Sequence, residues 1–393
     1  MACGRLPKGT VWELLVISRE ETAELKSIVS RIGGITIRST GSYAADFKAC
    51  IARASGRCII TMESNLAHNP FIIPELYASR DLGDIVIASR YVRNGYFNGS
   101  WLRRFLSRSG NTLFRKVLDF PVYDLTSSFR LYNLRVFENT DLRLTDEDVL
   151  LEILVNAYAQ GFKLAEIPFH YNPSQKAPSA TTWRTGRSCL RSLGGLWRLR
   201  NSIDCADYDE RAFNSRIWFQ RSWQRRRYRA LVRMAQDAKL VLDVGCGSSQ
   251  VIEGLPQSDC CDLRLNKLRH KRAPGRVLVR ASVFDLPFKT NFYDAVIFSQ
   301  VIEHLPKDPR VLQEIVRVAK PGGHVIVGTP DYATWWTTVE KIYGAVHPGG
   351  YADEHITHYT FETLKKEIES LGCRFIDHAY VWHAELIMRF QKL

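Results

Sequence analysis

Asp243, Gly245 and Gly247 follow directly on the apolar run Leu240–Leu242 in the stretch LVLDVGCGSSQ (240–250). A short apolar run reads as a buried parallel strand, and glycines straight after it let the backbone turn sharply and approach a ligand with no Cβ in the way. Ser248, Ser249 and Gln250 can then open a helix whose first amides point at that ligand. Alone, such a pair of glycines fits an ordinary strand-to-helix turn equally well. Nineteen residues after Asp243, Asp262 closes the segment DCCD. An acid at about that distance can take both hydroxyls of a ribose at the tip of the next strand. VRASVFDLPF (279–288), YDAVIFSQVIEHL (293–305) and VLQEIVRVAKPGGHVIVGTP (311–330) continue the pattern. Strand and helix alternate, which predicts a parallel, doubly wound α/β sheet.

With these motifs in this order, the region from Lys239 to Thr329 resembles a class I S-adenosylmethionine-dependent methyltransferase. The resemblance implies a Rossmann-like fold with a seven-stranded sheet. It implies that Gly245, Cys246 and Gly247 pass under the amino-acid part of the donor and that Asp243 faces its ammonium. Asp262 would take the ribose, with Leu263 beside it. Ser282 and the Val283 amide occupy the adenine position, where the family usually has an acid and this chain has only the displaced Asp285. Gln300, Glu303 and His304 would face donor or acceptor. Residues 331–393 look like the part that covers the substrate, and they carry Glu354, His355 and His358. Those three could suggest a metal site, but on a loop they more often serve as hydrogen-bonding or acid–base groups. If the acceptor is a hydroxyl, His304, His355 and His358 are the candidate catalytic bases, because imidazole titrates near neutral pH. Each also has an ordinary structural role as its alternative.

The first half alternates in the same way: VWELLVIS (11–18), a helix over 20–31, CIITMESN (58–65), a strand over 84–89, a helix over 101–118 and KLAEIPFHY (163–171). With ASRYVRNG, WLRRFLSRSGN and DLTSSFRLY in order, residues 12–192 resemble family 2 glycosyltransferases of the dolichyl- or polyprenyl-phosphate mannose/glucose synthase type. The resemblance implies an incomplete GT-A-like fold, since no residues remain before VWELLVIS for the family's first nucleotide-binding strand. Arg90, Arg103, Ser107, Asp124 and Arg130 match its phosphate- and sugar-binding positions. Other working positions have drifted. The nucleotide-contacting acids fall on Ser18-Arg19-Glu20. The Asp-x-Asp that holds Mg²⁺ or Mn²⁺ has become Glu63-Ser64-Asn65, which has one formal charge fewer than a hard cation wants. The late phosphate-gripping Arg and Lys fall on Ser174 and Ala180. A solvated surface charge is the alternative for each arginine.

A length of 393 residues suits two or three domains, read here as 1–182, a basic amphipathic helical linker 183–237, and 238–393. Net charge is +13, which asks for an anionic partner: phosphorylated or lipid-linked sugar, or a membrane surface. The linker's alternating arginines and tryptophans fit a helix lying on an anionic bilayer or one packed between domains. Nucleic acid is not expected, because no binding module accompanies the charge. The nine cysteines lack zinc spacing and read as reduced thiols. With no apolar run of membrane-spanning length, the expected location is cytoplasmic, or peripheral at the inner membrane face. Three functions follow. One is methyl transfer to a sugar or lipid-linked glycan, beside an inactive or specialised glycosyltransferase domain. Another is a bifunctional enzyme that also transfers sugar to a polyprenyl phosphate. The last makes the first domain a docking module.

Overall fold

In the computed structural model the described residues are 2–64, 67–138, 140–172, 179–346 and 355–393. Asn65 and Glu354, both singled out above, lie outside them, as does Ser174. The chain divides into two units, Met1–Asn201 and Ser202–Leu393.

In the first unit the order is β1 (Leu15–Ser18), α1 (Ala23–Arg31), β2 (Ile35–Arg38), α2 (Tyr43–Arg53), β3 (Cys58–Thr61), α3 (Ile73–Ala78), β4 (Ile85–Ser89) and β5 (Tyr96–Phe97). It continues with α4 (Trp101–Leu118), β6 (Arg130–Asn133), α5 (Val149–Ala159), β7 (Leu164–Pro168), β8 (His170–Tyr171) and α6 (Ser179–Arg200). Four strands form a mixed sheet in the order β3-β6-β4-β7, with β6 antiparallel to both neighbours and β7 parallel to β4. β4 is buried throughout, and α5 buries almost every side chain against the sheet. Ser100 starts α4 by accepting from the Arg103 amide, and Asp119 ends it in the left-handed region at φ 49°.

The second unit runs α7 (Tyr208–Phe213), α8 (Trp218–Ala235), β9 (Val241–Val244), α9 (Val251–Gly254), β10 (Ser258–Asp262), α10 (Leu265–Lys271), β11 (Leu278–Arg280) and β12 (Tyr293–Ser299). Then come α11 (Pro309–Val318), β13 (Ala319–Pro330), α12 (Trp336–Val346), α13 (Phe361–Glu369), β14 (Cys373–Val381) and β15 (Glu385–Lys392). Seven strands form one sheet in the order β11-β10-β9-β12-β13-β15-β14. All pairings are parallel except those of β15, which runs antiparallel to β13 and β14. Helix α11 shows why the pattern folds this way. Asp308 caps it, Pro309 starts it, and Val311, Leu312, Ile315 and Val316 bury one face on the sheet. Strand order reverses between β9 and β12, and a crevice at such a switch point, beyond the carboxyl ends of the strands, is where open α/β sheets hold ligands.

The stretch 183–237, read as a linker, is shared between the units. In α6, Cys189 and Leu196 join the first unit's core, and buried Arg200 donates to the carbonyls of Leu118 and Asp119 at 2.9 and 3.0 Å, closing the end of α4. In α8, Trp223, Leu231 and Met234 pack under the second sheet. Of its three consecutive arginines, Arg226 lies over Trp382, and Arg227 grips Glu385 through two 2.6 Å bonds. Among the described residues no helix is long and apolar enough to cross a membrane.

Candidate active site

The glycine turn stands at the carboxyl end of β9. Gly245 and Gly247 both have left-handed backbones, φ +70° and +54°, which L side chains rarely adopt. A Cβ on Gly245 would lie 2.3 Å from the Val301 side chain beyond β12, and one on Gly247 would lie 2.8 Å from an Asp209 oxygen. Two strand ends therefore meet with no room for side chains. Cys246 contributes backbone alone, because its thiol is buried beside Cys260, Ile252 and Leu268.

Asp262, at the carboxyl end of β10, turns its carboxylate toward this turn. One oxygen accepts from the Gly247 amide at 2.8 Å and the other from the Arg264 amide at 2.7 Å. Leu263 beside it is exposed. Asp243 is buried in β9 with one carboxylate oxygen unpartnered; burial, helped by the negative charge of Asp262, pushes its pKa up to about 7. The Ser282 hydroxyl is used locally, accepting from the Phe284 amide at 3.3 Å, and Val283 packs against the core.

After β12, Gln300 takes φ 60° and accepts from Arg227 at 3.2 Å. Glu303 is fully buried. One of its oxygens takes the Thr329 hydroxyl at 3.3 Å and the other has no partner, and burial pushes its pKa up to about 8. His304 and His355 come together, ring centroids 4.8 Å apart. His355 Nδ1 sits 2.8 Å from the Glu340 carboxylate and 3.0 Å from the Tyr332 hydroxyl. His358 does not join this pair directly. Its exposed ring stacks on Tyr332 at 4.0 Å.

Several of these residues were invisible to motif reading. Asp209, on the short α7, accepts from the Ser248 amide and hydroxyl, both at 2.9 Å, and pairs with buried Lys267. Burial alone would raise its pKa, but Lys267 and Ser248 outweigh that and hold it below the usual range. The one sequence signal for Glu385 is a lone acid opening the apolar run ELIM (385–388), and Tyr332 and Glu340 carry none.

The first unit requires corrections. Arg130 is wholly buried, giving its guanidinium to the carbonyls of Leu125 and Leu150, both at 2.8 Å. It braces the DLTSSFRLY turn and cannot reach a phosphate. Asp124 is equally buried and takes a bidentate grip from Arg90 at 2.6 and 2.7 Å, with the Arg90 and Ser127 amides on the same oxygens. Each neutralises the other in this arrangement. Ser107 accepts from the Tyr91 hydroxyl at 2.6 Å, and Arg103 lies half-buried one turn before it on α4. Glu63 takes the Ser128 hydroxyl at 2.7 Å, and its amide donates to His68. Among the described residues no group of three acidic, histidine or cysteine ligands gathers in this unit.

The sheet order and the glycine crevice define the second unit as a Rossmann-like class I methyltransferase fold. Residues 242–327 match the family model described as a methyltransferase domain, and residues 5–140 match that of glycosyl transferase family 2, so one chain carries both domains. Over 157 residues the chain is 29% identical to a dolichol-phosphate mannosyltransferase of Pyrococcus furiosus, covering 38% of this chain and 44% of that one. Over 108 residues it is 34% identical to a phthiotriol/phenolphthiotriol dimycocerosates methyltransferase of Mycobacterium leprae, covering 25% and 40%. The chain thus spans less than half the length of either relative. A SAM-dependent methyltransferase of Thermotoga maritima aligns in structure at 16% identity and TM-score 0.38, over 47% of this chain and 94% of that one.

Proposed function

We propose that the second unit transfers a methyl group from S-adenosylmethionine to a hydroxyl of a sugar or lipid-linked glycan. The first unit is then a specialised or inactive glycosyltransferase domain. The carrying observation is the Asp262 carboxylate aimed at the left-handed glycine turn, at the point where the strand order reverses. When bound, S-adenosylmethionine supplies a methyl group on a sulfonium. Gly245 and Gly247 give the turn the left-handed backbone that carries it past the end of β9, and Asp243 offers the donor's ammonium an unpartnered oxygen. Asp262 keeps lone pairs for ribose hydroxyls beyond the two amides it already holds. Holding donor and acceptor in line can itself supply about 7–11 kcal/mol of the barrier. His304, on the turn after β12, and His355, brought beside it from the segment before α13, are the groups that would take the proton of an acceptor hydroxyl.

A sugar or lipid-linked acceptor is supported by the attached domain and by its dolichol-phosphate mannosyltransferase relative. The mutual pairing of Arg90 with Asp124 and the burial of Arg130 against backbone carbonyls favour the inactive or specialised form of that domain over a bifunctional enzyme.

Isothermal titration with S-adenosylmethionine tests the donor site. Asp262→Ala removes charged hydrogen bonds worth roughly 1.5–3 kcal/mol each, so affinity falls at least tenfold. Unchanged affinity would dismiss the ribose assignment. Incubation with labelled donor and extracted lipid-linked sugars then identifies the acceptor; label appearing only in protein or nucleic acid would refute that part.

A second reading, of the first unit as a docking module, is favoured by α4. Its exposed Trp101 (72%), Phe105 (62%) and Leu102 (50%) share the helix with Arg104, Arg108 and Lys116. Apolar anchors among basic residues suit an anionic membrane surface. Flotation with phosphatidylserine vesicles should carry the chain at low salt, and less of it at high salt. Equal recovery with neutral vesicles would count against this reading.

A further inference from the structure

We propose that Glu303, His304 and His355 bind a divalent transition metal, with one coordination position left open for an oxygen of the acceptor. The coordinating atoms of the three residues lie within 4.8 Å of one another. Glu303 is fully buried, and one carboxylate oxygen has no hydrogen-bond partner. A buried carboxylate oxygen left unpaired is costly, and a cation offsets that cost. Arg227, which reaches Gln300 on the same turn, is already committed to Glu385 through two 2.6 Å bonds.

The two imidazoles are placed for ligation. Their rings are tilted by 57° rather than stacked. His355 Nδ1 rests 2.8 Å from the Glu340 carboxylate, and the Tyr332 hydroxyl donates to that carboxylate at 2.9 Å. A carboxylate on one ring nitrogen fixes the tautomer and ring orientation, the arrangement that metal-bound histidines commonly use. The backbone holds the two segments together. The Glu303 carbonyl accepts from the Ile356 and Thr357 amides at 2.9 and 3.1 Å, and the Thr357 hydroxyl donates to the Leu305 carbonyl.

Two imidazoles and one carboxylate suit Zn²⁺, Fe²⁺, Co²⁺ or Mn²⁺, whereas Mg²⁺ and Ca²⁺ prefer all-oxygen sites. With bonds of about 2.0–2.1 Å, tetrahedral ligands stand about 3.3 Å apart, so binding draws the side chains inward by on the order of 1 Å. Three protein ligands leave a fourth position, and a metal there lowers the pKa of a bound oxygen. Val301, two residues before Glu303, packs on Gly245, so the cluster and the glycine turn lie at neighbouring strand ends. Metal binding stands on the side chains alone; the role toward an acceptor rests on the methyl-transfer reading above.

The test uses the full chain, stripped with chelator and titrated with Co²⁺. One equivalent should bind with the visible absorption of a four- or five-coordinate site, and Zn²⁺ should displace it. Glu303→Gln and His355→Gln should each weaken binding at least about tenfold. Wild-type Co²⁺ protein should also show hyperfine-shifted imidazole N–H resonances, which keeps the test valid if a variant fails to fold. No binding up to millimolar Co²⁺, binding indifferent to both substitutions, or an absence of shifted imidazole signals would each overturn the proposal. S-adenosylmethionine titration of the same stripped protein separates the two readings: donor binding without Co²⁺ binding removes the metal and keeps the methyltransferase.

Discussion

Replacing Gly245 by alanine probes the junction on which the proposed donor site depends. At φ +70° an L residue costs about 1–2 kcal/mol. The new methyl would stand 2.3 Å from one Val301 methyl and 3.3 Å from the other. Val301 is β-branched and stiff, so backbone must shift, adding about 1–3 kcal/mol of overpacking. The total is roughly 2–5 kcal/mol. Gly247 is the internal control. Its backbone is also left-handed, but the clash, 2.8 Å, is with one oxygen at the end of the Asp209 side chain, which can retreat a few tenths of an ångström while loosening its bonds to Ser248 and Lys267. Gly247→Ala should therefore cost less, about 1–3 kcal/mol. Hydrogen exchange of the β9 amides, read by mass spectrometry, reports both losses in a chain whose two units need not unfold together. A loss under about 1 kcal/mol for Gly245→Ala, or equal losses for the two variants, would refute the claim that Val301 locks the turn.

Arg227→Ala should destabilise the second unit by about 3–5 kcal/mol, because the buried Glu385 carboxylate keeps only the Trp223 indole at 2.6 Å. Thermal melting checks this, and Arg227→Lys should recover little, since one ammonium cannot reproduce a two-point grip. Arg130→Lys should cost about 1–3 kcal/mol in exchange protection of β6 by stranding a buried carbonyl, whereas a surface phosphate ligand would leave stability unchanged. Glu303 and Asp243, with folded pKa values of about 8 and about 7, bind protons more tightly folded than unfolded. Their contribution to stability is complete below about pH 4 and is lost as pH rises through those values. In chelator, Glu303→Gln should therefore flatten the decline in denaturant midpoint between pH 5 and pH 9; parallel curves for variant and wild type would count against a buried, titrating Glu303.

Local pattern carried the proposed donor site because its parts are close in sequence and limited by backbone geometry. The run VLDV can be buried only in a sheet interior, Gly245 and Gly247 occupy conformations that other residues avoid, and Asp262 closes the next strand one crossover later. Two matched families in one chain were legible for the same reason. Tertiary structure decided whatever depends on partners far apart in the chain. Arg130 and Asp124 sit in a motif that suggests ligand contact, yet packing turns one toward the carbonyls of Leu125 and Leu150 and the other toward Arg90. Spacing grouped His355 with Glu354 and His358; folding instead set it beside His304 and Glu303, some fifty residues earlier, with Glu340 behind it. Sequence fixes which groups can ionise, turn or coordinate. Only the burial of Glu303 with one oxygen unpartnered, and the closure of β12 against the glycine turn, determine which of them share a site, because desolvation and contact arise from the fold as a whole.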